Sequence, residues 1–150
     1  MVDFLVIGPG NITGYKNMFP LIRDNRIWFG VGKRGMEFNG GGGINSCWIT
    51  NIDHNKRPSK IILLRKYVEG EYSRFDERPD IINIDKTNDI PSDYDGIMGV
   101  PITFIDKWNY VQFDILGYAH SAGNINDWFV PLVDGKYKFA RLLIRRKKDG

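Results

Sequence analysis

The fold is decided first by the stretch Ser46-Cys47-Trp48-Ile49-Thr50-Asn51-Ile52-Asp53-His54. From Cys47 to Ile52 it is apolar and rich in aromatic and β-branched side chains, a composition that predicts a β-strand. Cys47 is the single cysteine of the chain, so no intramolecular disulfide can form, and its apolar neighbours indicate a small buried hydrophobe. The strand ends directly before a segment rich in lysine and arginine.

A second strand is predicted near the N-terminus. Phe4 to Ile7 is a short apolar run that ends at Gly8-Pro9-Gly10. This pattern is typical of a strand buried on both faces, as the parallel strands of α/β sheets are. The carboxyl end of such a strand faces a ligand crevice, so we expect one beside Gly10.

Helical spacing follows the first strand. Asn11 is the expected N-cap, and Pro20 divides the element into two short helices because proline is accepted in a first turn but not further along. Residues 27–31 predict another strand. A short ribbon at residues 36–38 and a hairpin tip at the four glycines Gly40–Gly43 are expected before Ser46.

After His54 the predicted strands become shorter and the turns more charged. We predict strands at residues 61–64, 80–84, 102–105, 113–118 and 138–146, the last as an edge or ribbon strand. Residues 90–99 are expected to form an extended loop and residues 106–111 a turn. This portion is irregular α+β.

The totals describe an ordinary globular domain. The chain has 150 residues, of which 42% are hydrophobic and 26% charged, enough to bury a core and too apolar for disorder. It has neither a signal-peptide pattern nor a window near the roughly 18 apolar residues of a membrane-spanning helix. We therefore predict a cytoplasmic protein without a membrane partner.

Charge is distributed unevenly along the chain. Residues 69–95 hold nine acids and three bases, a balance of −6, so the remainder carries +9 against a net charge of +3. Residues 54–66 and 141–148 are basic and contain no acid. Such segregation predicts a surface that contacts a polyanion on one side, although charge runs also occur as plain solvated faces.

A second block, Tyr94-Asp95-Gly96-Ile97-Met98-Gly99-Val100-Pro101-Ile102-Thr103-Phe104, is mostly apolar. Taken in order with Ser46–His54 and with the opening Phe4-Leu5-Val6-Ile7-Gly8 … Asn11 … Tyr15-Lys16 … Phe19-Pro20-Leu21-Ile22, it resembles the C-terminal half of the EcoRI-type adenine-specific DNA methyltransferase family. The resemblance runs from about residue 3 to residue 146.

The resemblance implies a fold of the α+β class with a partial α/β sheet. Residues 1–54 would form the fifth, sixth and seventh strands and a helix of a methyltransferase-type Rossmann-like sheet, with the last strand antiparallel. Residues 55–150 would form an irregular, β-rich C-terminal lobe that contacts DNA. The two parts are expected to pack as one unit.

The resemblance also implies a chemistry that this chain cannot complete. The family transfers a methyl group from S-adenosylmethionine to the exocyclic amine of adenine and uses an Asn/Asp-Pro-Pro-Phe/Tyr tetrapeptide to hold the flipped base. No two of the seven prolines here are adjacent. We therefore expect a truncated gene product or a cloned fragment that has no catalytic residues and does not bind the methyl donor alone. Its expected partners are double-stranded DNA, the missing N-terminal half, and a second copy through an exposed sheet edge.

Three residues are candidates for the pocket of the target base. Asn11, Tyr15 and Lys16 match the family's Asn-x-Ile-Thr-Tyr-Lys pattern by position, whereas Gly14 stands where the pattern has threonine and Thr13 lies one place early. The alternative is a helix cap beside a core tyrosine.

Basic residues near the predicted strand ends are the DNA-binding candidates. They are Lys33, Arg34, His54, Lys56, Arg57, Arg145 and Arg146. No metal site is expected, because His54 has no second histidine, cysteine or carboxylate at a ligand spacing. Two other functions remain open: a stand-alone DNA-binding module, and a small nucleotide-binding enzyme that uses Gly8-Pro9-Gly10.

Overall fold

The computed structural model describes residues 2–30, 45–121 and 129–148. It divides into two units, Met1–Pro58 and Ser59–Gly150. The ribbon expected at residues 36–38, the glycines Gly40–Gly43, and the candidates Lys33 and Arg34 lie outside the described residues. Whether the two parts pack as one unit stays a prediction.

The first unit is built on a three-stranded sheet. Its strands are β1 (Leu5–Pro9), β2 (Trp28–Phe29) and β3 (Ser46–Thr50), in the order β1-β3-β2. β3 runs antiparallel to both neighbours, as the resemblance implied for the last strand. The pairing of Gly8 with Cys47 joins the two segments that the sequence singled out. That this sheet belongs to a methyltransferase-type fold remains a prediction.

β1 is an edge strand with exposed apolar side chains. Leu5, Val6 and Ile7 are all exposed, and β1 pairs only with β3 among the residues described. The apolar run is typical of a strand buried on both faces, but in this chain it lies at the exposed sheet edge that we expected. An edge strand with exposed apolar side chains is a template for further association.

The helical region between β1 and β2 consists of two short pieces, as predicted. A 3₁₀ turn spans Ile12–Gly14, and α1 spans Phe19–Arg23 with Pro20 in its first turn. Asn11 stands at the N-cap position, but its side chain makes no capping hydrogen bond, so the predicted cap is wrong. α1 buries Phe19 and Ile22, and these side chains belong to the core of the unit.

The second unit contains a mixed four-stranded sheet and a hairpin. The sheet consists of β4 (Ile82–Asn83), β5 (Met98–Pro101), β6 (Phe113–Ala119) and β9 (Arg141–Arg146), in the order β4-β5-β9-β6. β4 and β5 are parallel, and the other two pairings are antiparallel. β7 (Leu132–Val133) and β8 (Lys136–Tyr137) form the hairpin. Few helices and mixed sheets confirm the α+β class.

Three predictions for this unit are wrong. Residues 61–64 are not a strand, and pairing is reached only at an isolated bridge between Arg65 and Pro91. Residues 102–105 belong to a 3₁₀ helix, Ile102–Asp106, because consecutive Phe104 and Ile105 are both buried. A strand would send such neighbours to opposite faces.

β9 is the third correction, since it lies between β5 and β6 and not at an edge. Its residues Arg141 to Ile144 are all buried. Because both faces of the strand are covered, apolar residues occupy consecutive positions and the alternation expected of an edge strand is lost.

No helix among the described residues is long and apolar enough to cross a membrane.

Gly99 in β5 shows how closely the second core is packed. A Cβ atom at Gly99 would lie 2.5 Å from a ring carbon of Phe75, which is fully buried. We predict that Gly99→Ala destabilises the second unit by about 1–3 kcal/mol, because the ring has no free space into which to move. Urea unfolding measures this, with the exposed Ser73→Ala as control. An unchanged midpoint for Gly99→Ala would show that this contact is loose.

Candidate nucleic-acid interface

The C-terminal end of β9 lines a shallow groove of about 340 Å³ in the second unit. Four consecutive basic residues contribute to it, together with two carboxylates. The lining residues are Asp95, Asp114, Arg145, Arg146, Lys147 and Lys148. Arg145 and Arg146 pair with β6 on one side, since the pairing of β9 with β5 ends at Ile144, and the Lys147 N–H donates to the Gln112 carbonyl at 2.9 Å.

Two of the four cations in this groove are neutralised. Arg146 donates to Asp95 at 3.1 Å, and the Lys147 ammonium lies 3.4 Å from Asp114. Arg145 and Lys148 are exposed and have no ion-pair partner among the described residues. The groove therefore keeps a positive excess, and this excess is available to a phosphate backbone.

Most carboxylates of the acidic segment 69–95 make contacts within the second unit. Its carboxylates pair with arginines, some of which come from distant parts of the unit. The ion pairs are Asp89 with Arg65 at 2.6 Å, Asp80 with Arg78 at 2.8 Å, Asp85 with Arg141 at 2.9 Å, and Asp95 with Arg146 at 3.1 Å. The charge segregation of the sequence is therefore partly cancelled in space.

Arg141 is the most buried of these cations. Its guanidinium donates to Asn83 Oδ1 at 3.1 Å and to Asp85 Oδ1 at 2.9 Å. Burial lowers the pKa of Arg141. Partial burial of Asp85 acts to raise its pKa, but the hydrogen bond from Asn83 and the charges of Lys138 and Arg141 outweigh it and lower the pKa. This cluster is structural: it fixes the start of β9 against β4.

In the first unit the His54 side chain makes hydrogen bonds to the backbone. Its Nδ1 accepts from the Lys56 N–H at 3.2 Å, so Nε2 carries the proton and donates to the Phe29 carbonyl, also at 3.2 Å. Both ring nitrogens are used by the backbone. His54 therefore fixes the chain after β3, and a contact of this residue with DNA stays a prediction.

Arg57 is also held by the protein. Its guanidinium lies 3.9 Å from the centre of the Trp28 ring, donates to Asn25 and pairs with Asp53 at 3.6 Å. Only 16% of its side chain is exposed. Among the three basic candidates that follow β3, Lys56 is the one that is exposed to solvent.

Asn11, Tyr15 and Lys16 are all exposed. They follow the carboxyl end of β1, where Pro9 pairs with Ser46. The chain after β3 leaves from the opposite end of the same sheet, because Thr50 pairs with Leu5. The structure therefore separates the base-pocket candidates from His54 and Lys56 by the length of the strands.

Thr13 does not join the base-pocket candidates. It is buried, and its hydroxyl has no hydrogen-bond partner among the described residues. The hydroxyl that the family pattern places one residue later is thus not offered at the surface here.

Gly8 and Gly10 are used for close packing within the sheet. The Gly10 N–H donates to the Asn45 carbonyl at 2.6 Å, and Pro9 has no N–H. A Cβ at Gly8 would lie 2.6 Å from Ile49 Cδ1. This turn therefore lacks the free backbone donors that a phosphate-binding loop presents.

Within the described part of the chain, no group of three or more histidine, cysteine or acidic residues is arranged to hold a metal ion.

Two features of these surfaces could not be predicted from the sequence. Asp95 and Asp114 neutralise two of the four cations of the basic groove, although neither lies near residues 145–148 in sequence. Arg57 stacks on Trp28, which is also distant in sequence. The apolar patterning of β9, which already predicted a strand, was the available signal that Arg145 and Arg146 belong to a paired strand.

Comparison with known proteins gives one family. The family model described as adenine-specific methyltransferase EcoRI matches residues 41–147. Among curated proteins, the Type II methyltransferase M.EcoRI of Escherichia coli is 36% identical over 97% of this chain and 50% of its own length. No solved structure matches.

Two mycoplasma proteins are also similar to this chain. The Type II methyltransferase M.MpnI of Mycoplasma pneumoniae is 30% identical over 98% of this chain, and M.MgeORF184P of Mycoplasma genitalium is 27% identical over 97%. Each is covered over 57% of its own length. The chain spans about half the length of the curated relatives it matches.

The lowered pKa of Asp85 gives a prediction for pH. A carboxyl whose folded pKa is lowered stabilises the fold above its unfolded pKa of about 4 and loses that contribution as the pH falls. We predict that Asp85→Asn costs about 1 kcal/mol at pH 7, since Asp85 is partly exposed and solvent screens its charge. As the pH falls below 4 and passes through the lowered pKa of Asp85, the stabilities of the variant and the wild type converge. Urea unfolding between pH 3 and pH 7 tests this, with exposed Glu77→Gln as control. A loss that does not vary with pH would contradict it.

Proposed function

The chain belongs to the EcoRI adenine-specific methyltransferase family, and we propose that it is the DNA-contacting C-terminal part of a DNA adenine-N6 methyltransferase of a restriction-modification system. The family match carries this proposal, because it extends from residue 41 to residue 147 and so includes β3 and nearly all of the second unit. In the intact enzyme the methyl donor would be S-adenosylmethionine.

The basic groove at the end of β9 is the proposed DNA contact. Arg145, which pairs with β6, and Lys148, two residues beyond β9, present charges that no carboxylate of the described residues neutralises. Phosphate contacts of this kind supply affinity and orientation but no sequence reading. Base recognition therefore belongs to other residues of the enzyme.

Asn11, Tyr15 and Lys16 are proposed to line part of the pocket for the target adenine. Their support is their shared exposure at the carboxyl end of β1, where open α/β sheets place their ligands. A flipped base is held by stacking and by hydrogen bonds to its edge, and this segment offers an aromatic ring, an amide and an ammonium group.

The transfer step is assigned to residues outside this chain. The sequence has no adjacent prolines, so it lacks the tetrapeptide that holds the adenine amine in this family. We propose that this chain alone neither binds S-adenosylmethionine nor methylates DNA. The exposed apolar side chains of β1 would be covered by the rest of the enzyme or by a second copy.

A stand-alone DNA-binding module is the second candidate, since the charge excess at Arg145 and Lys148 does not depend on any other part of an enzyme. A small nucleotide-binding enzyme is disfavoured, because the Gly10 N–H is already bound to Asn45.

Salt dependence of DNA binding tests the proposed contact. We predict that the 150-residue chain binds duplex DNA and that the logarithm of its binding constant falls linearly with the logarithm of the salt concentration. The double variant Arg145→Gln, Lys148→Gln should reduce this slope by about 2, because two phosphate contacts are lost. Lys86→Gln with Lys136→Gln removes the same charge outside the groove and should leave the slope nearly unchanged. Equal slopes for the two double variants would exclude the groove as the contact.

A further inference from the structure

Two large apolar side chains of the second unit are almost fully exposed. Ile62 is 85% exposed and Leu64 is 86% exposed. Lys60 lies two residues before Ile62, and Lys66 lies two residues after Leu64. Both lysines are also exposed, whereas Ile61 and Leu63 between them are half-buried, as in an extended segment. In extended chain, every second residue points to the same side, so these four side chains form one ridge. We call the segment from residue 60 to residue 66 the apolar ridge.

The apolar ridge is anchored at both ends. Near its start, the Ile61 N–H donates to Gln112 Oε1 at 2.9 Å and Gln112 Nε2 donates back to the Ile61 carbonyl at 2.8 Å. Gln112 is itself buried. Near its end, the Arg65 carbonyl accepts from the Ser92 N–H at 2.8 Å and from the Ser92 hydroxyl at 3.1 Å.

This anchoring separates the ridge from an ordinary loop. The leucine and isoleucine are fixed in an exposed position, and each forgoes about 1.5–3 kcal/mol of burial. A rigid, solvent-facing apolar pair of this kind marks a surface that is covered by a partner.

The charges around the ridge indicate the chemistry of that partner. Residues 54–66 contain no acid. Arg65 is neutralised by Asp89 at 2.6 Å, whereas Lys60 and Lys66 have no ion-pair partner among the described residues. The ridge therefore offers apolar groups in its middle and free cations at its ends. Duplex DNA matches this order, because its phosphates lie outside and its apolar base stack inside.

We propose that Ile62 and Leu64 enter a groove of duplex DNA and insert at base steps, while Lys60 and Lys66 contact the phosphates on either side. Apolar wedges flanked by basic residues are a known means of unstacking base pairs. At about 3.3 Å per residue the two wedge residues lie about 7 Å apart, which equals two base-pair rises of about 3.4 Å. This inference rests on the proposed DNA binding and adds a second contact, distinct from the groove at β9.

Unwinding of a closed circular plasmid tests the insertion without knowledge of the recognised sequence. The full 150-residue chain is bound to relaxed plasmid, topoisomerase I is added, and the linking number is read after deproteinisation. Insertion between base pairs untwists the duplex, so the wild type should lower the linking number in proportion to bound protein. Ile62→Ala with Leu64→Ala should abolish most of this shift at equal occupancy, with an unchanged salt slope.

Matched variants separate the two halves of the ridge. Lys60→Gln with Lys66→Gln should reduce the salt slope by about 2, as expected for two lost phosphate contacts. Phe139→Ala removes another exposed apolar side chain, 81% exposed, and should leave the linking-number shift intact. Thermal melting of each variant confirms that it is folded.

The outcomes distinguish this inference from the function on which it rests. If the wild type does not bind plasmid at all, the proposed DNA binding fails. If it binds and the Ile62→Ala, Leu64→Ala variant unwinds the plasmid as the wild type does, the insertion alone is overturned. If that variant instead changes only the sedimentation of the chain, the ridge is a contact between proteins and the insertion is likewise overturned.

Discussion

The central position of β9 is the constraint on which the second unit depends. The strand pairs with β5 on one side and with β6 on the other, and its first four residues are buried. At its start, Arg141 is held by Asn83 and Asp85, so the strand cannot slide in register without exposing a buried cation. The same register places Arg145 and Arg146, at its carboxyl end, opposite Asp114 and Phe113 of β6.

Pairing of acids with arginines decides which cations remain for a partner. The acidic segment 69–95 satisfies Arg65, Arg74, Arg78, Arg141 and Arg146 within the second unit. Arginine suits this role because its planar guanidinium donates hydrogen bonds to carboxylates at fixed geometry. Lys60, Lys66 and Lys148, together with Arg145, are left without an ion-pair partner among the described residues of this unit. Internal ion pairing thus produces a few defined cationic positions from a chain whose net charge is only +3.

The elements that sequence reasoning predicted correctly are those with a local signal. β3 and β6 carry continuous or alternating apolar residues, and the two short helical pieces follow from spacing and from Pro20. Residues 102–106 carry the same β-branched composition as a strand but form a 3₁₀ helix, because the core requires both Phe104 and Ile105. Local composition does not show which neighbouring side chains the core buries.

The candidate sites were predicted less completely, for the same reason. His54 and Arg57 are basic by sequence, yet their partners Phe29, Asn25 and Trp28 lie more than 20 residues away and become neighbours only in the folded sheet. The exposed position of Asn11, Tyr15 and Lys16 is compatible with the family pattern, but their role in holding a base stays a prediction. Lys33 and Arg34 stay predictions as well, since they lie outside the described residues.

A single sample tests most directly whether this chain contacts DNA without performing the transfer. Purified chain is incubated with duplex DNA and methyl-labelled S-adenosylmethionine, and retention of DNA and incorporation of label are measured together. We predict salt-sensitive retention of DNA with no label in adenine and no heat of binding for the methyl donor in calorimetry. Label transferred to adenine by the 150-residue chain alone would contradict it.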